Sequence, residues 1–332
     1  MKPSALRADL PRLINEQIGV FLWGAPGVGK SDLIRAVAAD GDYELRDVRL
    51  SLMDPIDLKG FPTIDMVKKQ MHWLPANFLP KKGKGKQKGI LFLDEMNAAP
   101  QSVQAAAYQL VLDRKLGDYE LPDGWGIVAA GNRAGDRAVV HTMPSALANR
   151  FVHIDYDVSN DDWNVWAMES DVHVDIRSYM RAFPGNLHNH DTASNLRAFP
   201  TPRSWSFVNR IYRKGYSADS EYELIKGTIG EGAAAGFLAH VKNLHGMPTV
   251  DQVLLDPDGA ALPKNSSAQY AMIEALHPKT TTNNIGRVMT YISRLPVEYQ
   301  TIFIRSAIKR DDKLTGTKEY MAWGLKNAQV LM

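Results

Sequence analysis

The chain has 332 residues, a length that fits about two domains. Apolar residues make up 45% and charged residues 23%, ordinary values that exclude a largely disordered or collagen-like chain. Lys and Arg total 39 against 37 for Asp and Glu, so no global charge draws the chain to nucleic acid or an acidic membrane, and the lack of cysteine excludes disulfides, a zinc finger and a thiol nucleophile.

No apolar run approaches the roughly 20 residues of a membrane helix. Met1, Lys2, Pro3 and Ser4 open the sequence without a signal-peptide core. A cytoplasmic protein with no membrane insertion is expected.

Ile18 to Trp23 reads as a buried strand ending at a glycine-rich turn. Ser31 to Ala39 follows as a helix, with Leu33, Ile34 and Val37 on one face. Val48, Leu50 and Leu52 alternate like a strand, and Ile90 to Leu93 is short and wholly apolar. Val103, Ala106, Ala107, Leu110 and Val111 carry helical spacing, with Pro100 near the helix start. Ile127 to Ala130 and Phe151 to Ile154 complete five strands. Strands alternating with helices predict an α/β core, residues 1–158, with a parallel five-stranded sheet covered on both faces.

Beyond about Ser159 the apolar residues recur at helical spacing, as in Ile285, Val288, Met289, Ile292 and Leu295. Pro and Gly clusters interrupt them near 184–186, 200–202, 246–248 and 257–263. A helical subdomain over 159–244 and a helical extension over 245–332 are expected, with an irregular linker at roughly 245–265.

Gly24-Ala25-Pro26-Gly27-Val28-Gly29-Lys30-Ser31 matches the Walker A pattern in full, after a strand and before a helix. Such glycines let backbone N–H groups close on phosphate oxygens, and the helix start adds its positive dipole end. Lys30 is expected on the β- and γ-phosphates, and the Ser31 hydroxyl on Mg2+.

Ile90 to Leu93 ends in Asp94-Glu95, a Walker B pattern. Asp94 would hold Mg2+ through its water shell. Glu95 would orient the water that attacks the γ-phosphate. A small-molecule kinase has no use for a water-activating glutamate. No Asn-Lys-x-Asp guanine motif and no LSGGQ-type signature occurs. Hydrolysis of ATP is the reaction these residues favour.

With these motifs the chain resembles the AAA+ ATPases, and within them the MoxR-like group with a helix-2 insert. Gly131-Asn132-Arg133 after an apolar strand resembles sensor 1, which implies that Asn132 helps place the attacking water. Met143-Pro144-Ser145-Ala146-Leu147-Ala148-Asn149-Arg150-Phe151 resembles the segment ending in the arginine finger. Arg150 would then reach a neighbouring subunit's nucleotide. Phe199-Pro200-Thr201-Pro202-Arg203-Ser204-Trp205 resembles the sensor 2 turn, and places Arg203 on the γ-phosphate from a lid formed by 159–244. Asp54 to Phe61 resembles the stretch before the insert, with His72, Trp73 and Leu74 in or just after it. Leu110 to Arg114 is similar to a helix end that sets Arg114 near a subunit boundary. Many relatives carry a second arginine where this chain has Ala148.

The resemblance covers residues 10–240. It implies a homo-oligomeric ring, a hexamer, that remodels or assembles a protein partner, one bearing a von Willebrand A domain in many relatives. Two alternatives are a nucleic-acid-stimulated motor or loader and a nucleotide-gated scaffold with little turnover. Five lysines in residues 81–88 could hold phosphate backbones, but no aromatics interleave them, so a solvated loop is expected. His188-Asn189-His190 lacks a third ligand nearby and reads as an exposed loop.

Overall fold

A computed structural model describes residues 1–67, 69–83, 85–136, 141–190, 196–244, 247–264 and 266–327. Lys84 of the lysine run and Gly246 of the expected linker lie outside the described residues. The chain divides into two compact units, Met1–Trp163 and Asn164–His190 with Leu196 onward.

Among the described residues the first unit holds nine strands: β1 Val20–Trp23, β2 Glu44–Arg49, β3 Phe61–Asp65, β4 Gln70–Leu74, β5 Gly89–Asp94, β6 Lys115–Leu116, β7 Tyr119–Glu120, β8 Trp125–Gly131 and β9 Val152–Asp155. Its helices are α1 Pro3–Asn15, α2 Lys30–Asp40, α3 Pro55–Lys59, α4 Gln101–Asp113 and α5 Ser145–Ala148. Five strands form one parallel sheet in the order β2-β5-β8-β1-β9. Successive side chains of a strand leave opposite faces, and the two cores follow that alternation. Val20, Leu22, Ile90, Phe92, Val128 and Ala130 pack under α1 and α2. Phe21, Leu91, Leu93 and Ala129 pack under α4. Near-continuous apolar strands, buried on both faces, follow from this layering. Each fully buried Leu, Ile or Phe adds about 2 kcal/mol.

The expected second strand differs in one respect. It stops at Arg49, and Leu50–Leu52 turns into a single 3-10 turn, burying Leu50 while Leu52 stays exposed. His72, Trp73 and Leu74 lie in β4, which pairs with β3 as an antiparallel hairpin.

Helix α6 Asn160–Glu169 runs across the division at residue 164, and the second unit continues with α7 Val174–Ala182, α8 Pro202–Tyr212, α9 Ala218–Ile229 and α10 Glu231–Leu244. Then come α11 Val250–Leu255, α12 Ser266–Leu276, α13 Ile285–Ile292, α14 Val297–Arg310 and α15 Lys318–Lys326. Residues 250–255, inside the expected irregular linker, are thus helical. Thr249 and Gln252 close a capping box there that satisfies the first-turn N–H groups. Tyr179, Trp205 and Phe237 meet edge to face or tilted, with centroids 5.6–5.8 Å apart. A second cluster gathers Met272, Ile292, Phe303 and Trp323. Arg181 and the buried Glu274 pair at 2.7 Å and tie α7 to α12.

Among the described residues, no helix is long and apolar enough to cross a membrane.

Candidate nucleotide site

The sheet order sets β5, β8 and β1 side by side and parallel, so their carboxyl ends open on one edge. Ligands of open α/β sheets bind at such ends. Residues from all three strand ends meet there.

After β1, the loop Gly24 to Gly29 turns into α2. Gly27 and Gly29 have φ of +77° and +100°, a region that a Cβ resists. Gly24 is needed for space, since a Cβ there would lie 2.8 Å from the Tyr156 carbonyl oxygen. Lys30 opens α2 and is nearly buried, at 9% exposure. Its Nζ donates to the carbonyls of Gly24 at 2.5 Å and Ala25 at 3.1 Å, and to Asn132 Oδ1 at 3.1 Å. The ammonium thus stands inside the curl of its own loop, facing the end of β8.

Ser31 Oγ donates to Asp94 Oδ2 at 2.8 Å, and Asp94 Oδ1 accepts the Glu95 N–H at 2.9 Å. Two hard oxygen donors therefore converge from α2 and β5. That pair suits Mg2+, which takes few protein ligands and keeps several waters. Glu95 has φ +55°, a strained conformation for a residue with a side chain, and one that clusters at functional sites. Its carboxylate accepts a short hydrogen bond from Ser51 Oγ, with Arg49 Nε 3.7 Å from the other oxygen. Arg49 ends β2 and Ser51 lies in the turn after it, and no spacing rule in the sequence marks them.

Asn132 follows β8. Asn97 donates to its carbonyl at 2.7 Å and accepts its N–H at 3.2 Å. Arg133 points away to Asp155 at 3.1 Å and Asp157 at 2.8 Å, and the Asp157 bond above all raises its pKa. Burial raises the Tyr156 hydroxyl's pKa well above the usual range.

Arg150 follows α5 and lies exposed, and its guanidinium has no hydrogen-bond or ion-pair partner among the described residues. The segment carrying it is tied to β1: the Trp23 indole N–H donates to His153 Nδ1 at 2.8 Å, which leaves Nε2–H to donate to the Ala148 carbonyl at 2.7 Å. Arg203 belongs to the second unit, in the first turn of α8, where Thr201 and Ser204 cap each other's backbone N–H. It too is exposed, and its guanidinium has no partner among the described residues.

The Arg114 guanidinium donates to the carbonyls of Pro122 at 3.1 Å and Trp125 at 2.8 Å, and burial lowers its pKa. It is spent inside its own unit. The lysine run is partly spent as well: Lys86 pairs with Asp42 at 2.5 Å, and Lys88 sits over the Tyr43 ring. His190 stacks on Phe199 with centroids 4.1 Å apart.

Residues 19–151 match the family described as AAA domain (dynein-related subfamily). A midasin from Giardia intestinalis is 26% identical in an alignment of 197 positions that covers 54% of this chain. The chain spans about 4% of the length of that curated relative. Among solved structures, the RuvB Holliday junction branch migration motor of Thermotoga maritima is similar, at 17% identity and a TM-score of 0.40. That match covers 76% of this chain and 72% of RuvB.

Proposed function

We propose that this chain, whose residues 19–151 match the AAA domain family, hydrolyses ATP to ADP and phosphate in an oligomeric ring and uses the cycle to remodel or assemble a partner protein complex. The observation that carries the reading is the meeting of Lys30, Ser31, Asp94 and Asn132 at adjacent strand ends.

Lys30 now donates to neutral acceptors. A phosphate oxygen is charged and a stronger acceptor, so triphosphate draws the ammonium to the β- and γ-phosphates. The N–H groups of Gly27, Val28 and Gly29 close on the same oxygens. Ser31 and Asp94 would hold Mg2+, which neutralises charge on the phosphates. Glu95 accepts hydrogen from the attacking water, and Asn132 steadies that water beside the γ-phosphate.

Charge spreads over the phosphoryl oxygens in the transition state, and a positioned guanidinium contributes on the order of 10³–10⁵ in rate. Arg150 is assigned this role toward a neighbouring subunit's nucleotide, and Arg203 the γ-phosphate contact from a lid of residues 159–244. Both assignments rest on the resemblance. They are supported by two exposed guanidinium groups without partners, in a chain whose Arg133 and Arg114 are engaged. A hexamer, the extension's separate role and a von Willebrand A partner are parts of the same proposal.

The test is phosphate release by the purified full chain with Mg2+, with EDTA and as Glu95→Gln. Release that needs Mg2+ and stops in the variant, with ATP still bound, is expected. Stable ATP-dependent assembly without release would favour the scaffold reading instead.

A further inference from the structure

Asn97 has no place in the assignments above, yet its side chain is buried and hydrogen-bonded beside the site. It lies two residues beyond Glu95, in the 3-10 turn Met96–Ala98, and is only 2% exposed. Its amide takes both main-chain groups of Asn132, much as an antiparallel neighbour takes both groups of its partner. The fit is close: a Cβ on Gly131 would lie 2.3 Å from Asn97 Oδ1. The carbonyl of Asn97 accepts the His141 N–H at 2.7 Å, at the start of the stretch that leads through α5 to Arg150.

We propose that Asn97 is a positioning residue for hydrolysis. It holds the Asn132 main chain so that the Asn132 carboxamide stays beside Lys30, where the γ-phosphate is read. The proposal rests on the reading of Asn132 as the group that steadies the attacking water. A buried amide is required because the Asn132 N–H and C=O need one donor and one acceptor at fixed spacing. Asp supplies acceptors only when ionised, and sets a carboxylate oxygen against a carbonyl. Ala leaves both main-chain groups unpaired, and the strand end then drifts. A shift of about 1 Å in a positioned group can cost on the order of 10² in rate.

The experiment uses the full chain as Asn97→Ala, Asn97→Asp, Asn132→Ala and the Asn97→Ala/Asn132→Ala double variant. Affinity is read with a fluorescent ATP analogue, turnover by phosphate release and folding by circular dichroism. Asn97→Ala should lower kcat at least about tenfold while the analogue's Kd moves less than about threefold, the pattern of a transition-state effect. The double variant should be no slower than Asn132→Ala alone. If Asn97→Ala does not fold, Asn97→Asp, nearly the same size, carries the test and should also be slow. Full turnover in a folded Asn97 variant beside a slow Asn132→Ala would overturn the proposal alone, as would losses that multiply in the double variant. Full turnover in Asn132→Ala would overturn the sensor reading, and this proposal with it.

Discussion

Ser51 Oγ donates a hydrogen bond to the carboxylate of Glu95, with the Arg49 guanidinium on its other oxygen. Glu95 must release that donor before the same oxygen accepts hydrogen from water. Ser51→Ala should therefore raise basal turnover. A hydrogen bond to a charged group is worth about 1.5 kcal/mol, so the rise should reach up to about tenfold. Steady-state phosphate release reads it, and an unchanged or lower rate would show that Ser51 does not restrain the glutamate.

Lys30→Ala should abolish ATP binding, because the cation at the centre of the loop is lost while the glycines that shape it remain. Equilibrium titration with the fluorescent analogue measures this. Unchanged affinity would remove the phosphate-loop assignment.

Arg150→Ala and Glu95→Gln should each be inactive alone. Mixed at equal ratio, they should recover turnover, since about one quarter of the interfaces in a randomly assembled ring pair an intact Glu95 with an intact Arg150. No recovery at any ratio would remove the trans arrangement.

Acid should weaken the second unit. His240 Nε2 and the Ser178 hydroxyl share a hydrogen bond at 2.7 Å, and His277 Nε2–H donates to the Ser306 carbonyl at 2.8 Å. Burial lowers the pKa of both below the ordinary 6.5. The unfolded chain then binds protons that the folded unit refuses, so this stabilisation is complete above about pH 6.5 and declines as pH falls toward the folded values. Melting temperatures between pH 7.5 and 5.5 should drop, and His240→Gln should flatten the drop. An equal slope in both proteins would clear His240 of the effect.

The glycine turn into α2, the acidic pair at the end of β5 and the five strands were all legible in the sequence. Each is a local pattern: a glycine turn between strand and helix, or an apolar run with a polar end. The end of β2 was misread because Val48, Leu50 and Leu52 keep their alternation into the turn, and only the packing of Leu50 shows where the strand stops. The helix at Val250–Leu255 was missed because neighbouring Pro and Gly outweighed the Thr249–Gln252 cap.

What the amino-acid order determined by itself was the chemistry within a few residues of each motif. Only the tertiary structure decided which strand ends become neighbours, and so brought Ser51 to Glu95, Asn97 to Asn132 and Lys30 to Asn132 across gaps of 35 to 102 positions. Hydrogen bonds act over about 3 Å. The distances that matter to them are set by sheet order and layer packing, quantities that spacing along a chain does not contain.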